Sequence, residues 1–526
     1  MSRTLIRGTR ITGLNTLLSR ITGLVRDQAI AAAIGLGAAS DTFFVVYAIP
    51  NFLRRLFAEG AFSQSFVPVL SEYRARRELA EVRGLVADTA GTLGMVLLAV
   101  TVIGVLAAPA IILVYAGGFA AQGGDRFALA VEMFRWVFPY VLFISLTSLY
   151  AGVLNSYQRF ALPAFTQVIQ NVLLIAVAVG LAAHSSRPGP VLAIGVFISG
   201  VLQVVSLLPS VARLKLLSWP RWRPRAEGVK RILKLMVPGI VGSSMSQLSL
   251  LLNSAISSFL AVGSISALYI ADRLMEFPLG VFSIALGTVI LPSLSAQHAR
   301  QDSQEFSDTL DWALRLTVLL VAPAMIGMLF FSGPMVAAVF GFRKVAAGGI
   351  AGIQMASYAL IAYSWGVMTF SLIKVLAPGY YARQDTKTPV RAALIALAVN
   401  VSINVGIVVP AVWFGFKAPY LLLATSTCVS SAVNAFLLWR GLQRSGVLRP
   451  TQAWSRLLPR VALGCATMAL LLGWLSGDLQ QWMALPLWLR LVRCFGDILL
   501  AALLYFLVLY VSGLRPRDMR HGGAAS

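Results

Sequence analysis

Charge is scarce in this chain. Only 12% of its 526 residues are Asp, Glu, Lys or Arg, whereas 58% are hydrophobic, and the mean hydropathy is +0.80. A soluble protein of this length carries about twice that charged fraction. The composition therefore excludes an ordinary soluble domain.

Cysteine and histidine are also rare. The three cysteines (Cys428, Cys465 and Cys494) lie far apart in or beside apolar segments, and the three histidines are isolated. Without a CxxC pair or a Cys/His cluster, we expect the cysteines to be small buried hydrophobes, and we predict no metal site and no cofactor. No Walker A motif is present, which argues against ATP hydrolysis by this chain.

Long apolar runs are abundant instead. Runs of about 20 residues match the thickness of a bilayer core, and the fold class they predict is an all-α polytopic membrane protein. No cleavable signal peptide is evident, so we expect the first run to stay as helix 1. We predict about 14 spans, at 9–34, 41–70, 86–116, 130–156, 162–184, 190–212, 232–259, 265–296, 310–332, 350–376, 388–413, 418–440, 456–475 and 489–512.

The formal net charge of +23 comes from basic residues placed in the loops. They cluster after even-numbered spans, so the positive-inside rule predicts that both termini are cytoplasmic. Nucleic acid is not a predicted partner, because loop charge that fixes topology explains the excess. The basic, Trp-bearing stretch 213–234 has the composition of an anchor on anionic membrane lipids.

A faint internal repeat divides the chain. Pro68 matches Pro292, and Tyr157 matches Tyr381, both at a shift of 224 residues. Parallel repeats of this kind predict two pseudo-symmetric six-helix lobes around a central cavity, plus two C-terminal helices. The predicted domains are an N-lobe (1–212), a basic cytoplasmic linker (213–231), a C-lobe (232–442) and a last segment with two spans and a cytoplasmic tail (443–526).

A few charges fall inside the predicted spans, where an arginine at a helix centre costs about 2.5–3.5 kcal/mol. Arg20, Arg26 and Arg54 have no acidic residue one turn away, and Asp27 is adjacent to Arg26, where helical neighbours do not face each other. We therefore expect surplus guanidinium charge around an interior cavity. Because the planar guanidinium fork donates two parallel hydrogen bonds, that charge predicts a phosphate-bearing ligand.

Blander interpretations compete at other positions. Arg55 and Glu59, or Arg273 and Glu276, have the spacing to pair along their own helix. Asp41 lies at a span end and has the chemistry of an N-cap. Lys374 is near a span end, where a lysine reaches the interface.

Several long motifs resemble one known family. The stretches "SRITGLVRD", "SDTFFVVYAIPNFLRRLFAEGAFSQSFVPVLSEY", "ADRLMEFPLGVFSIALGTVILPSLS" and "KVLAPGYYARQDTKTPV" are similar to signatures of the MurJ (MviN) proteins, which are bacterial lipid II flippases of the multidrug/oligosaccharidyl-lipid/polysaccharide (MOP) exporter superfamily. The resemblance runs from the first span to about the twelfth.

The resemblance implies a V-shaped cavity lined by helices 1, 2, 7 and 8, with helices 13 and 14 forming a groove for the lipid tail. It assigns the diphosphate-binding arginines and the supporting or gating cavity residues to positions that this sequence retains. The binding residues are Arg20, Arg26, Arg54 and Arg273, and the supporting residues are Asp41, Asn51, Ser266 and Glu276.

The implied function is translocation of lipid II to the periplasmic leaflet of the bacterial inner membrane by alternating access, without enzymatic chemistry. The sodium site of some family members does not carry over, because span 7 lacks an acid and Asp385 has no evident partners. Coupling to the membrane potential or to a monovalent cation is left open. Other cell-wall synthesis proteins are further candidate partners.

Two neighbouring functions stay as alternatives. A flippase for another polyprenyl-diphosphate-linked glycan would need the same arginines. A cation-coupled multidrug exporter of the same superfamily would need acidic cavity residues, which the excess of arginine disfavours. A membrane enzyme acting on lipid phosphates would need a carboxylate pair or a His motif, and the loops contain neither.

Overall fold

A computed structural model describes residues 3–57, 61–123, 125–280, 284–342 and 350–515. Within these ranges the side chains of 3–14, 16–17, 50, 53–57, 61, 63–64, 237–250, 284–285 and 288–289 are not described. All regular structure in the described ranges is helical, which confirms the predicted fold class.

Among the described residues, ten helices are long and apolar enough to cross a membrane, and the shorter apolar helix Ala38–Ile49 accompanies them. The ten correspond to predicted spans 3 to 6 and 9 to 14. The total of fourteen therefore stays a prediction. The other four predicted spans, 1, 2, 7 and 8, each include residues or side chains outside the described part of the chain.

The described chain forms two compact units, Met1–Val262 and Gly263–Ser526. The helices of unit 1 are α1 (Arg3–Ile34), α2 (Ala38–Phe57), α3 (Ala61–Arg76), α4 (Leu79–Leu106), α5 (Ala108–Tyr115), α6 (Gly117–Ala121), α7 (Arg126–Val137), α8 (Tyr140–Ser156), α9 (Ala161–Gly180), α10 (Pro188–Arg213) and α11 (Glu227–Ser257).

Two predicted spans of unit 1 are interrupted. The span 130–156 consists of α7 and α8, with Pro139 at the start of the second helix. The span 86–116 is divided at Ala107, and Pro109 lies in the first turn of α5. Proline lacks the N–H that an uninterrupted helix would need at these positions. The predicted span 41–70 includes residues 58–60, which lie outside the described ranges.

Within unit 1, α1 packs along α9, while α10 packs against α8 and α9. Helix α11 packs against α2 and α3, so it belongs to this unit. The unit boundary after Val262 thus lies one helix beyond the linker that divides the two predicted lobes. The lobes were defined by sequence repetition and the units by packing, and the lobe boundaries stay a prediction.

The helices of unit 2 are α12 (Ser264–Pro278), α13 (Ile284–Ala299), α14 (Ser303–Phe330), α15 (Ser332–Phe340), α16 (Ile350–Tyr381), α17 (Lys387–Ile403), α18 (Val409–Trp413), α19 (Pro419–Arg444), α20 (Ala453–Ser476), α21 (Leu479–Ala484) and α22 (Leu487–Val511). Helix α16 packs against α19, α14 and α12, and α20 packs against α22 and α14. One core cluster contains the fully buried Leu310, Val375 and Leu442.

A π-helical segment, Asn404–Val408, joins α17 to α18. Pro410 lies two residues beyond it, in the first turn of α18, and cannot donate the backbone hydrogen bond of an α-helix. A π-turn accommodates such a missing donor without ending the span.

The repeat is visible in the turns, in a register that differs from the predicted one. Gln158 and Gln384 both adopt φ of 59° just after a helix end. The following residues close the same turn, with Arg159 N–H donating to Leu154 O at 2.9 Å and Asp385 N–H to Tyr380 O at 3.1 Å. A shift of 224 would pair Gln158 with Ala382 instead, so the single common shift was wrong at this turn.

Candidate functional site

Arg26 lies in the interior of unit 1 and has an acidic partner. Its side chain is 5% exposed, and Nε and Nη2 donate to Asp27 Oδ1 at 3.0 and 2.7 Å. The expectation that adjacent helical residues leave Arg26 without a carboxylate was wrong. The Arg26 side chain is long enough to fold back and bind the carboxylate of Asp27. A rule based on helical spacing considers only residues one turn apart, so it does not predict this contact.

Asn171 on α9 completes this network. Its Oδ1 accepts from Arg26 Nη1 at 3.1 Å, and its Nδ2 donates to Ser19 O and Thr22 Oγ1, both at 3.0 Å. The guanidinium also lies 6.0 Å from the centre of the Tyr47 ring. A buried polar network is stable only when its members are satisfied, so Asn171 fixes the orientation of Arg26 between α1 and α9. Asn171 was not among the predicted site residues, because no local sequence pattern marks it.

The other predicted residues of unit 1 differ in exposure. Arg20 is exposed on α1, and Asn51 is half-buried on α2. The side chain of Arg54 lies outside the described residues, as do those of Arg55 and Glu59, so their proposed pairing is untested. Among the described arginines of this set, Arg20 is the one most accessible to a ligand.

Asp41 is fully buried in the first turn of α2 and faces a residue that the sequence did not single out. Arg126 Nη2, at the start of α7, lies 3.5 Å from Asp41 Oδ2. The helix begins three residues before Asp41, at Ala38, so the N-cap interpretation was wrong. A carboxylate in a first helical turn is nevertheless favoured by the helix dipole.

Arg126 links Asp41 to the end of α11. Its Nη1 donates to Gln122 Oε1 at 2.6 Å, and Gln122 Nε2 donates to Leu260 O at 3.1 Å. The guanidinium also covers the Phe119 ring at 4.5 Å. The available signal was topological: Asp41 and Arg126 both begin even-numbered spans and therefore share one side of the predicted membrane.

Unit 2 contributes Arg273 on α12. Its Nη1 donates to Glu276 Oε2 at 2.8 Å, and Nε and Nη2 donate to the Tyr269 hydroxyl at 3.2 and 3.1 Å. The helix spacing had allowed this ion pair, and the structure contains it. The side chains of Arg273 and Glu276 are 27% and 42% exposed, so a ligand can reach them. Ser266 is fully buried on the same helix.

The surplus of unpaired guanidinium charge is therefore smaller than predicted. In this conformation Arg26 and Arg273 each bind a carboxylate, and a phosphate would have to replace it. Carboxylate and phosphate present similar oxygen pairs to the guanidinium fork, so such an exchange is chemically reasonable. Arg20, Arg26 and Arg54 lie in unit 1, and Arg273 lies in unit 2.

No cluster of three or more His, Cys, Asp or Glu side chains that could hold a metal occurs among the described residues. Asn404 and Ser426, with Asn400, form a buried uncharged network, in which Ser426 Oγ donates to Asn404 Oδ1 at 2.6 Å. Asp385 instead stabilises the start of α17, accepting from Thr388 Oγ1 at 2.6 Å and Thr388 N–H at 3.0 Å. These bonds, the hydroxyl's first, lower the pKa of Asp385 below the usual aspartate range.

Spans 9 and 14 also contain charged residues that were not among the predicted site residues. Asp311 on α14 pairs with Arg315 at 3.0 Å and accepts from Trp454 Nε1 at 2.6 Å. Arg490 on α22 is 7% exposed and donates to Gly341 O at 2.7 Å, just beyond α15. These groups hold helix ends together within unit 2, and "LWLRLVRCFGD" was a visible signal for the second of them.

Comparison with known proteins identifies the family to which this arrangement belongs. The family model described as "Lipid II flippase MurJ" matches residues 30–493. A curated relative from Vibrio cholerae serotype O1, named "Probable lipid II flippase MurJ", is 40% identical over 526 residues, covering 99% of this chain and 98% of the relative.

Solved structures agree at the level of the fold. The chain is similar to "Lipid II flippase MurJ, inward closed conformation", with a TM-score of 0.78, 24% identity and coverage of 96% of this chain and 99% of that one. It is also similar to an inward-facing multidrug resistance MATE family transporter of the MOP superfamily, with a TM-score of 0.61, 14% identity and coverage of 82% and 95%.

Proposed function

The chain belongs to the lipid II flippase MurJ family and is a multi-pass inner-membrane protein, and on that premise we propose that it moves lipid II from the cytoplasmic to the periplasmic leaflet by alternating access. The observation that carries the proposal is the family match over residues 30–493. The guanidinium groups of Arg26 on α1 and Arg273 on α12 support it. The flippase is a transporter and not an enzyme.

The arginines would bind the diphosphate of lipid II. Arg273 is reachable and already donates from Nη1 to an anionic oxygen, that of Glu276. An incoming diphosphate brings more negative charge than one carboxylate and replaces Glu276 in the guanidinium fork. Arg20 is exposed and binds without such an exchange. We assign the same role to Arg26 and Arg54.

Asp41, Asn51, Ser266 and Glu276 would support this binding or gate access to it. Glu276 neutralises Arg273 when no substrate is present, and Asp41 is held by Arg126. Exchange of partners gives the substrate different affinities for different conformations. Only such differential affinity shifts a conformational equilibrium.

The driving force is one of two candidates, the membrane potential or a monovalent cation. One elementary charge crossing the membrane gains about 2.3 kcal/mol per 100 mV, enough to reset an unloaded cationic carrier. The buried network of Asn400, Asn404 and Ser426 carries no formal charge, which argues against sodium binding at that network. We also propose that both termini are cytoplasmic and that the lipid tail follows helices α20 and α22.

The test is a flipping assay in vesicles with headgroup-labelled lipid II. We expect Arg20→Ala, Arg54→Ala and Arg273→Ala each to lower the rate at least tenfold, because each removes one charge-assisted contact to the diphosphate. Arg187→Ala is the control, since Arg187 is exposed and pairs with Glu132 on the surface. Wild-type rates in all three variants would contradict the assignment. Repeating the assay with and without a sodium gradient, and with an imposed potential, separates the two driving forces.

The alternatives are tested in the same vesicles. Labelled lipids with the same polyprenyl diphosphate but another glycan measure how far the headgroup decides transport. The multidrug exporter alternative rests on the fold likeness alone, and transport of a cationic dye with no movement of lipid II would favour it.

A further inference from the structure

The segment after α10 presents a surface of tryptophan and basic side chains. Trp219 is 89% exposed and Trp222 is 52% exposed. Lys215, Arg221, Arg223 and Arg225 are exposed between and beside them. We call these six side chains the linker surface.

The backbone beneath the linker surface is fixed on α4. Arg221 N–H donates to Ala87 O at 3.0 Å, and Arg223 N–H donates to Thr92 Oγ1 at 3.3 Å. Gly91 allows this close approach, because a Cβ there would lie 2.2 Å from the backbone nitrogen of Arg221. The exposed side chains are therefore held on an ordered backbone.

The linker surface lies at the level where α4 becomes apolar on its outside. Residues 85–93 of α4 are buried, whereas Met95 is 56% exposed and Leu98 51% exposed. Met95 follows Thr92 by three residues, or about 4.5 Å of helix rise. An apolar, outward-facing helix surface of this kind marks the hydrocarbon layer, so the segment lies at its edge. Tryptophan is enriched at that level of a bilayer.

The corresponding segment after α19 is built differently. It also packs on a helix, with Arg449 N–H donating to Ser307 Oγ on α14 at 2.9 Å. The tryptophan that follows this segment, Trp454 in the first turn of α20, is half-buried instead, and its Nε1 donates to Asp311. Outward-facing tryptophans are thus a property of the first segment and are not imposed by this type of packing.

Charge identifies the partner. The stretch from Arg213 to Ala226 contains five basic residues, Arg213 included, and no acidic residue. An arginine fork at the membrane edge matches a lipid phosphate, and tryptophan rings beside it match the headgroup layer. We propose that the linker surface binds anionic phospholipid headgroups and so fixes the depth of α4 and α10 in the leaflet.

The experiment uses the full chain in nanodiscs of phosphatidylcholine containing a minority of phosphatidylglycerol. In one set the phosphatidylglycerol carries bromine near the headgroup, and in the other an equal amount of phosphatidylcholine carries it. Tryptophan quenching is measured in wild type and in Trp219→Phe/Trp222→Phe, and the difference isolates the linker surface. We expect stronger quenching by the anionic lipid, weakened at about 1 M salt, where the screening length is near 3 Å.

The triple variant Arg221→Gln/Arg223→Gln/Arg225→Gln should lose most of the preference for the anionic lipid. Arg83→Gln/Arg159→Gln/Arg300→Gln is the matched control, because it removes the same charge from exposed positions outside the linker surface on the same predicted side. Equal quenching by both lipids in wild type would overturn the proposal. So would quenching by neither lipid, or a full anionic preference in the first triple variant.

Discussion

Arg126 offers the sharpest test of how this fold handles buried charge. Replacing Arg126 by Gln leaves the carboxylate of Asp41, which is fully buried, without the guanidinium 3.5 Å away. It also removes the contact with the Phe119 ring and the bond to Gln122. Truncating one partner of a buried ion pair costs about 3–5 kcal/mol. Asp41 retains further interactions, so we expect the low end, about 3 kcal/mol.

The assay is unfolding of the detergent-solubilised protein by denaturant, followed by circular dichroism. Arg187→Gln is the control, since it breaks the Arg187–Glu132 pair on the surface, with side chains 63% and 35% exposed. Exposed pairs contribute about 0–1 kcal/mol. Arg126→Lys should recover part of the loss, because it restores the charge.

A double-mutant cycle with Asp41→Asn identifies the pair as the cause. The two single changes each leave one charge buried alone, whereas the double variant removes both. We therefore expect the double variant to lose less than the sum of the single losses, with a coupling of about 1 kcal/mol or more. Additive losses, or an Arg126→Gln effect no larger than that of Arg187→Gln, would refute the reasoning.

Three further outcomes follow from local contacts. Gly91→Ala should lower the free energy of unfolding by about 1–3 kcal/mol, because the added Cβ collides with the backbone of Arg221. Gly84→Ala on the same helix is the control, since its Cβ meets nothing within 4 Å and should leave the stability unchanged. Equal effects of the two substitutions would contradict the close approach at Gly91. Because the pKa of Asp385 is lowered in the folded state, its stabilising effect is present above the ordinary aspartate pKa and is lost as pH falls through the folded-state pKa. Asp385→Asn should therefore flatten the acid side of a plot of unfolding free energy against pH. An unchanged acid side would contradict this prediction. Asp311→Asn should lower the free energy of unfolding by about 2 kcal/mol, because Trp454 and Thr451 lose a charged hydrogen-bond acceptor. Amide hydrogen exchange should become faster around residues 451–456. Unchanged exchange would show that these bonds do not hold the start of α20.

Much of the fold could be predicted because hydropathy is a local sum. The ten helices identified as candidate spans begin and end within a few residues of the predicted limits in most cases, as α10 and α22 illustrate. Prolines accounted for the interruption before α8. The register of the repeat was predicted less well, because matching two residue types does not locate a turn. The left-handed backbone conformation of Gln158 and Gln384 locates it.

The candidate site was only partly predictable. Residue type and span position singled out Arg26, the family resemblance added Arg273, and helix spacing allowed the pair of Arg273 with Glu276. No local rule could place Asn171 beside Arg26, or Arg126 beside Asp41, because each pair comes from different helices.

By itself, the sequence determined that this protein lies in a membrane and which charged groups its spans contain. A run of apolar residues partitions into lipid whatever its neighbours are, and an arginine keeps its charge there. The tertiary structure alone decided which partners come from other helices, such as Asn171 for Arg26 and Arg126 for Asp41. Those contacts depend on distances of about 3 Å between atoms on separate helices, and such distances are set by packing and not by spacing along the chain.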